Sequence, residues 1–204
     1  MIEFNRWFLA LFFSAVAIFY TARILILTRR FRMSPVYFGQ LGTLHFATHA
    51  AFRFFRVAIL LICIARVFWP SFDRYLIPLA SLWHPYVLAL GDCLLLAGIT
   101  IVLYVHFYMG DAWRSGTNSK EKARLITTGP FSMSRNPMML AVILAQFGLF
   151  LALPSVFTLI CLVVGVWAVS LQVGIEERIL EQRFGQTYHE YAARTPRWLH
   201  PWKS

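Results

Sequence analysis

Charged residues, and acidic residues above all, are scarce in this sequence. Its 204 residues include 9 Asp and Glu against 19 Lys and Arg, and charged residues make up 14% of the chain. Hydrophobic residues make up 59%, and the mean hydropathy is +0.62. A soluble domain of this size does not carry so many long apolar runs. The composition therefore predicts one integral-membrane domain over residues 1–204.

Cysteine is also scarce. Cys63, Cys93 and Cys161 each stand alone inside an apolar run. An odd number of scattered cysteines without metal-ligand spacing argues against a disulfide framework and against a zinc site. We therefore expect three packing residues and no bound metal.

Five apolar runs approach the length of about 20 residues that a helix needs to cross a bilayer. They are Trp7–Leu27, Phe52–Trp69, Tyr86–Met109, Met138–Leu153 and Ser155–Gly174. We expect an all-α polytopic membrane protein of about five transmembrane helices, with an uncleaved first span. The last two spans form a hairpin split by Pro154, and a charged amphipathic helix over Ile175–Ala193 follows them, with Gly185 as a stop.

Several polar residues interrupt the N-terminal half. His45 and His49 share a helix face within residues 33–50, but no third metal ligand is near, so an interfacial or re-entrant segment is favoured over a metal site. Arg53, Arg56 and Arg66 flank the second span and are expected to snorkel to the two membrane surfaces. Asp92 lies inside the third span, where an acid is functional by default unless it is close to the surface.

Basic residues concentrate beside the apolar runs. They cluster at Arg29–Arg32, in Gly110–Ser134 and after Glu176. Five spans place all three clusters on one side, which the positive-inside rule makes cytoplasmic. The net charge of +10 therefore favours contact with anionic lipid headgroups over nucleic acid.

The longest polar interruption contains a turn and a helix start. Gly129-Pro130 forces a turn, because glycine permits a positive φ and proline fixes its own φ. Asn136 is suited to cap a helix whose first residue is Pro137. With Arg135 beside it, this helix start is suited to bind a carboxylate or a phosphate. The alternative is a membrane-interface turn with a snorkelling arginine.

A series of short motifs follows in a specific order. It consists of Gly129-Pro130-Phe131, Arg135-Asn136-Pro137, Glu176-Glu177, Phe184-Gly185-x-x-Tyr188-x-x-Tyr191 and Pro196. This order and spacing, over roughly residues 110–201, resembles the isoprenylcysteine carboxyl methyltransferase family. That family belongs to a wider group of integral-membrane methyltransferases that includes the phospholipid methyltransferases. Residues 1–109 resemble it only as membrane helices. Asn136 and Met139 depart from the family, which usually has histidine and often tyrosine there.

The resemblance implies S-adenosylmethionine as cofactor and a lipidic methyl acceptor. The implied cofactor-binding residues are Ala123, Arg124, Leu125, Ile126, Phe131, Asn136, Pro137, Met138, Met139 and Glu176. The candidate catalytic residues are Arg135, Glu176 and Glu177, and Gln172 is a candidate substrate-binding residue. Glu176 would meet the cofactor amino group and the Asn136 helix start its carboxylate, while Arg135 and Glu177 alternatively pair with each other. The sequence has no Gly-x-Gly-x-x-Gly loop after a strand, which excludes a Rossmann-type methyltransferase domain.

Three functions stay open at this point. The first is O-methylation of a prenylcysteine-like carboxylate, which is already ionised at neutral pH and needs no general base. The second is N-methylation of a phospholipid amine, which must first lose a proton. The third is a non-catalytic or transport protein that retains the fold, as the changes at Asn136 and Met139 would allow.

The distribution of basic residues makes a prediction about orientation. We expect the Gly110–Ser134 loop and the C-terminus on the cytoplasmic side. A reporter fused to the C-terminus should be active only in the cytoplasm. Activity of that reporter only on the external side would contradict the assignment.

Overall fold

A computed structural model describes residues 1–31, 44–110 and 125–199, and these are almost entirely helical. The helices are α1 (Ile2–Phe31), α2 (Leu44–Phe68), α3 (Pro85–Met109), α4 (Pro130–Met133), α5 (Pro137–Ala152), α6 (Val156–Phe184) and α7 (Gln186–Arg194). Two short 3-10 helices, Pro70–Leu76 and Ala80–Leu82, lie between α2 and α3. The described part of the chain contains no strand, only an isolated bridge between Pro78 and Ser155. The all-α polytopic membrane fold is confirmed.

The predicted spans differ in how well they suit a membrane crossing. Within the described ranges, α1, α3 and α6 are long and apolar enough to cross a bilayer. The apolar helix α5 has 16 residues, which gives it a length of about 24 Å. The 25-residue α2 carries Arg53, Arg56 and Arg66 along its length.

Two predicted boundaries are wrong. The charged segment from Ile175 is not a separate helix, because α6 runs without interruption from its capping box at Ser155 and Thr158 to Phe184. Gly174 is tolerated inside it, whereas Gly185, with φ of 49°, ends it as predicted. Residues 44–50 belong to α2 and do not form a segment separate from the second span, because no glycine or proline interrupts that helix. The remainder of the predicted segment, 33–43, lies outside the described residues.

Small residues bring α3 and α5 into close contact. A side-chain Cβ added at Gly91 would lie 2.1 Å from the backbone nitrogen of Ala152. A Cβ at Gly98 would lie 2.8 Å from the Cβ of Ala145, and one at Gly148 would lie 2.7 Å from the backbone nitrogen of Leu95. In lipid, helix association depends on such close backbone approach, because apolar side chains gain little by leaving the hydrocarbon. These glycines therefore fix how α5 lies against α3.

One apolar cluster connects four helices at the end of the helix bundle opposite α7. Its buried members are Leu9, Cys63, Leu76, Leu95, Leu149, Ala152 and Leu153.

Cys63 and Cys161 are buried, as expected of packing residues, but Cys93 is exposed, so the prediction for that cysteine is wrong.

Several polar side chains inside the spans pair between helices. Arg66 is fully buried and contacts Asp73, which also pairs with Arg6 at 2.7 Å, so the predicted snorkelling of Arg66 is wrong. The acidic neighbour just beyond α2 is what retains the guanidinium inside the protein. Asp92 is buried and accepts a hydrogen bond of 2.9 Å from Asn5, which joins α3 to α1.

The contact between α3 and α5 generates a stability prediction. Gly91→Ala should lower the free energy of unfolding by about 1–3 kcal/mol, because the added methyl meets the backbone of α5. Gly174→Ala is the matched control: it meets nothing within 4 Å and should raise stability by up to about 1 kcal/mol. Denaturation of the purified protein in mixed micelles measures both. Equal effects of the two variants would show that the close approach does not matter.

Candidate active site

The turn before α5 is held against the end of α3. Gly129 has φ of 59°, a conformation that side chains disfavour. A Cβ there would also lie 2.5 Å from the ring of Tyr108. The Tyr108 hydroxyl lies 2.7 Å from the Thr128 hydroxyl, within hydrogen-bond distance. Glycine is therefore required at position 129 both by the backbone and by the approach of Tyr108.

The helix start at Asn136 and Pro137 is confirmed, but the Asn136 side chain does not cap it. Its Nδ2 atom donates to the Glu177 carboxylate and to the Arg197 carbonyl, both at 3.2 Å. The prediction of a side-chain cap is therefore wrong, because the amide is committed to the C-terminal segments. Proline has no N–H group, so the backbone N–H groups of Met138 and Met139 are the ones that lack an acceptor within the helix.

Glu177 stands between two arginines. Its Oε1 atom accepts from Nε of Arg135 at 3.1 Å, and Nη2 of Arg135 is also 3.1 Å away. Its Oε2 atom accepts from Nε and Nη2 of Arg197 at 2.9 and 2.6 Å. With the amide of Asn136, this set of four residues forms what we call the Glu177 lock. The Glu177 side chain is 11% exposed and that of Arg135 is 16% exposed, so water screens this pair only weakly.

Further hydrogen bonds fasten the segment after α7 to the turn. The backbone N–H of Arg135 donates to the Pro196 carbonyl at 2.9 Å, and its Nη1 atom donates to the Ala192 carbonyl at 3.2 Å. The Tyr191 hydroxyl donates to the Phe131 carbonyl at 2.7 Å. Burial raises the pKa of Tyr191 to about 12, so this hydroxyl remains a donor at any physiological pH. The turn, the end of α6 and the C-terminal segment thus form one unit.

Glu176 has different surroundings from its neighbour. Its Oε1 atom accepts a hydrogen bond of 2.9 Å from Nε2 of Gln172, one turn earlier on α6. Successive residues on a helix point about 100° apart. Glu176 is therefore directed away from the two arginines that hold Glu177, and the two carboxylates cannot serve the same function.

The predicted site residues do not all lie in one place. The structure brings together Phe131, Arg135, Asn136, Pro137 and Glu177, and it pairs Gln172 with Glu176. Met138 and Met139 lie in the first turn of α5, and Leu125 and Ile126 are half-buried at the start of the described segment. Ala123 and Arg124 lie outside the described residues.

Sequence reasoning missed three residues of this region. Arg197 supplies the second cation to Glu177, Ser134 accepts from the Asn136 backbone N–H at 3.1 Å, and Tyr108 packs on Gly129. A basic residue directly after Pro196 was the available signal for Arg197. Over the described ranges, the structure contains no group of three His, Cys, Asp or Glu side chains able to hold a metal.

Comparison with known proteins adds one decisive observation. The family described as phospholipid methyltransferase matches residues 86–187, from the start of α3 to the start of α7 and half of the chain. The chain belongs to the phospholipid methyltransferase family. This places it among membrane methyltransferases that act on lipids, and it confirms the resemblance to the wider group of integral-membrane methyltransferases. No curated protein and no solved structure matches.

The Glu177 lock generates a prediction for this family member. Glu177→Gln should lower the free energy of unfolding by about 2–3 kcal/mol, because it leaves two guanidinium groups without a counter-charge. The cost is less than that of a fully buried pair, since the Arg197 side chain is 52% exposed.

Glu181→Gln is the matched control for that prediction. Glu181 lies one turn further along α6, is 51% exposed and has His189 as its partner. Its replacement should change stability by less than about 0.5 kcal/mol. If Glu177→Gln is as mild as Glu181→Gln in the same denaturation experiment, the lock does not stabilise the fold.

Proposed function

We propose that this protein transfers the methyl group of S-adenosylmethionine to a lipidic acceptor at the cytoplasmic face of the membrane. The favoured acceptor is a prenylcysteine-like carboxylate. Membership of the phospholipid methyltransferase family supports the reaction type. The Glu177 lock is the observation that supports the location, because it joins the start of α5 to the end of α6 across more than forty residues of sequence.

The groups near the Glu177 lock match the charges and the ring of this cofactor. The carboxylate of Glu176 suits the cofactor ammonium, and the backbone N–H groups of Met138 and Met139 suit its carboxylate. Phe131, on the turn, suits the adenine ring. The family resemblance adds four further candidate cofactor contacts, Ala123, Arg124, Leu125 and Ile126. When bound, the cofactor supplies an electrophilic methyl group on a sulfonium.

The charge of the lock favours an anionic acceptor. Arg135 and Arg197 together carry two positive charges, and Glu177 carries one negative charge. With Glu176 paired to the cofactor ammonium, the region keeps one net positive charge. A carboxylate is attracted to such a region and attacks without a general base, so catalysis rests on alignment and on the exclusion of water.

We assign Arg135 and Glu177 a positioning role in this reaction. Their mutual ion pair holds the helix start and the end of α6 in register. Gln172 orients Glu176 through its amide and lies on the membrane side of it, where an acceptor arriving from the lipid would pass. The N-terminal helices α1 and α2 complete the membrane part of the same single domain.

N-methylation of a phospholipid amine is the second candidate. The description of the matched family favours it. An amine acceptor must lose a proton before attack, and both oxygens of Glu177 are already occupied by two arginines. This candidate therefore depends on Glu176 as the base, which would leave the cofactor ammonium without its partner.

Product analysis distinguishes the candidates. The protein in lipid nanodiscs is incubated with methyl-labelled S-adenosylmethionine and either a farnesylcysteine derivative or phosphatidylethanolamine. We expect a base-labile methyl ester on the first and no label on the second. Label on the amine alone would establish the second candidate in place of the first.

A variant tests the cofactor assignment. Glu176→Gln should weaken the binding of S-adenosylmethionine at least tenfold, because a charge-assisted hydrogen bond is lost. Glu181→Gln, an exposed acid on the same helix, should bind like the parent. Isothermal titration in detergent measures both. Unchanged affinity in Glu176→Gln would remove Glu176 from the site, and no binding by the parent at millimolar ligand would favour a non-catalytic protein.

A further inference from the structure

An open cavity of about 320 Å³ lies between the helices, away from the Glu177 lock, and the two arginines in its wall are exposed. Its walls come from α1, α2, α3, α5 and α6, with Phe13, Leu60, Leu95 and Cys161 among the apolar lining residues. The volume is at the lower end of the range for small-molecule sites. Helices α1 and α2 lie before residue 86, so half of the cavity wall is outside the part of the chain that matches the family.

The cavity has a polar end and an apolar end. At one end, the Arg56 guanidinium lies 5.0 Å from the centre of the Tyr20 ring, and Arg53 lies in the same wall. At the other end, Leu95 and Leu149 belong to the apolar cluster that contains Leu9 and Cys63. Arginine inside a membrane span is costly and faces a cavity or a partner. This cavity therefore has the polarity of a site for an amphiphile.

Gln146 on α5 is the second polar feature of this wall. Both atoms of its amide, Oε1 and Nε2, are buried and have no hydrogen-bond partner among the described residues. The amide lies directly on Gly165 of α6, where an added Cβ would be 1.6 Å from Oε1. A buried amide without a partner is destabilising, and a bound ligand with a polar group removes that penalty.

We propose that this cavity binds a long-chain fatty acid. The carboxylate faces Arg53 and Arg56 and accepts a hydrogen bond from Nε2 of Gln146, while the chain extends toward Leu149 and Cys161. A planar guanidinium matches a carboxylate in shape and in charge. An aliphatic chain matches the apolar end, because it has no polar atom that needs a hydrogen-bond partner. The site does not depend on methyl transfer, so it stands or falls separately from the proposed function.

Photolabelling in a membrane tests this site. The parent protein is placed in phosphatidylcholine nanodiscs with palmitic acid that carries a diazirine in its chain. A second sample contains phosphatidylcholine with the same diazirine chain at equal mole fraction. We expect the fatty acid to label peptides of α2 and α6 that line the cavity at least ten times more strongly, and unlabelled palmitate to compete. Equal labelling by the two probes would show an ordinary lipid-filled gap and overturn the proposal.

Variants locate the label within the cavity. Val16→Trp fills the cavity from α1 and should abolish labelling, whereas Ile18→Trp, at a 69% exposed position on the same helix, should not. Arg56→Gln and Gln146→Leu should each lower labelling about tenfold, the effect of one lost charge-assisted hydrogen bond.

Stability measurements separate loss of binding from loss of folding. Gln146→Leu removes an unpartnered amide, so its melting temperature without ligand should equal or exceed that of the parent. A drop in labelling together with unchanged melting supports the site. Labelling that survives both Arg56→Gln and Gln146→Leu would refute it.

Discussion

The ion pairs of the Glu177 carboxylate are the interaction on which the end of the fold that contains the candidate site depends. This carboxylate holds Arg135 at the start of α5 and Arg197 after α7, so three chain segments meet at one side chain. Burying an ion pair costs desolvation energy, and only a complete set of partners offsets it. That condition is met because Arg135 also donates to the carbonyls of Ala192 and Thr195. The geometry of the proposed site follows from this one set of contacts.

The Glu177 lock in turn depends on the position of α5 within the helix bundle. Close contact between α3 and α5 at Gly91, Gly98 and Gly148 sets the height and rotation of α5. Tyr108, near the end of α3, contacts the turn at Gly129. Helices α3 and α5 therefore determine the position of the turn as well as that of the helix that follows it. A change in their contact would move Arg135 relative to α6. The membrane helices therefore position the site as well as anchor it.

The sequence predicted the elements whose signal is local. Apolar length predicted the helices, Pro137 predicted the start of α5, and Gly185 predicted the end of α6, since each depends on the residue itself. The continuation of α6 past Gly174 was missed, because a glycine inside a helix and a glycine after one look the same in sequence. The burial of Arg66 was missed for a related reason: its partner Asp73 becomes a neighbour only when α2 and the following 3-10 helix are placed.

The order of motifs in the sequence predicted that Glu176 and Glu177 belong to one site, but it did not predict that their roles differ. The position of this motif after the hairpin was the signal for a shared site. The roles differ because successive residues of a helix point about 100° apart. Glu177 is turned toward two cations, and Glu176 toward the amide of Gln172. Asn136 stands where the resemblance to the isoprenylcysteine carboxyl methyltransferases implies a histidine, and this difference has a physical account in the same terms. Its amide N–H donates to Glu177, which is the bond that a histidine N–H at this position is equally able to make. The change from histidine to asparagine therefore keeps the donor and gives up only the ability to carry a charge.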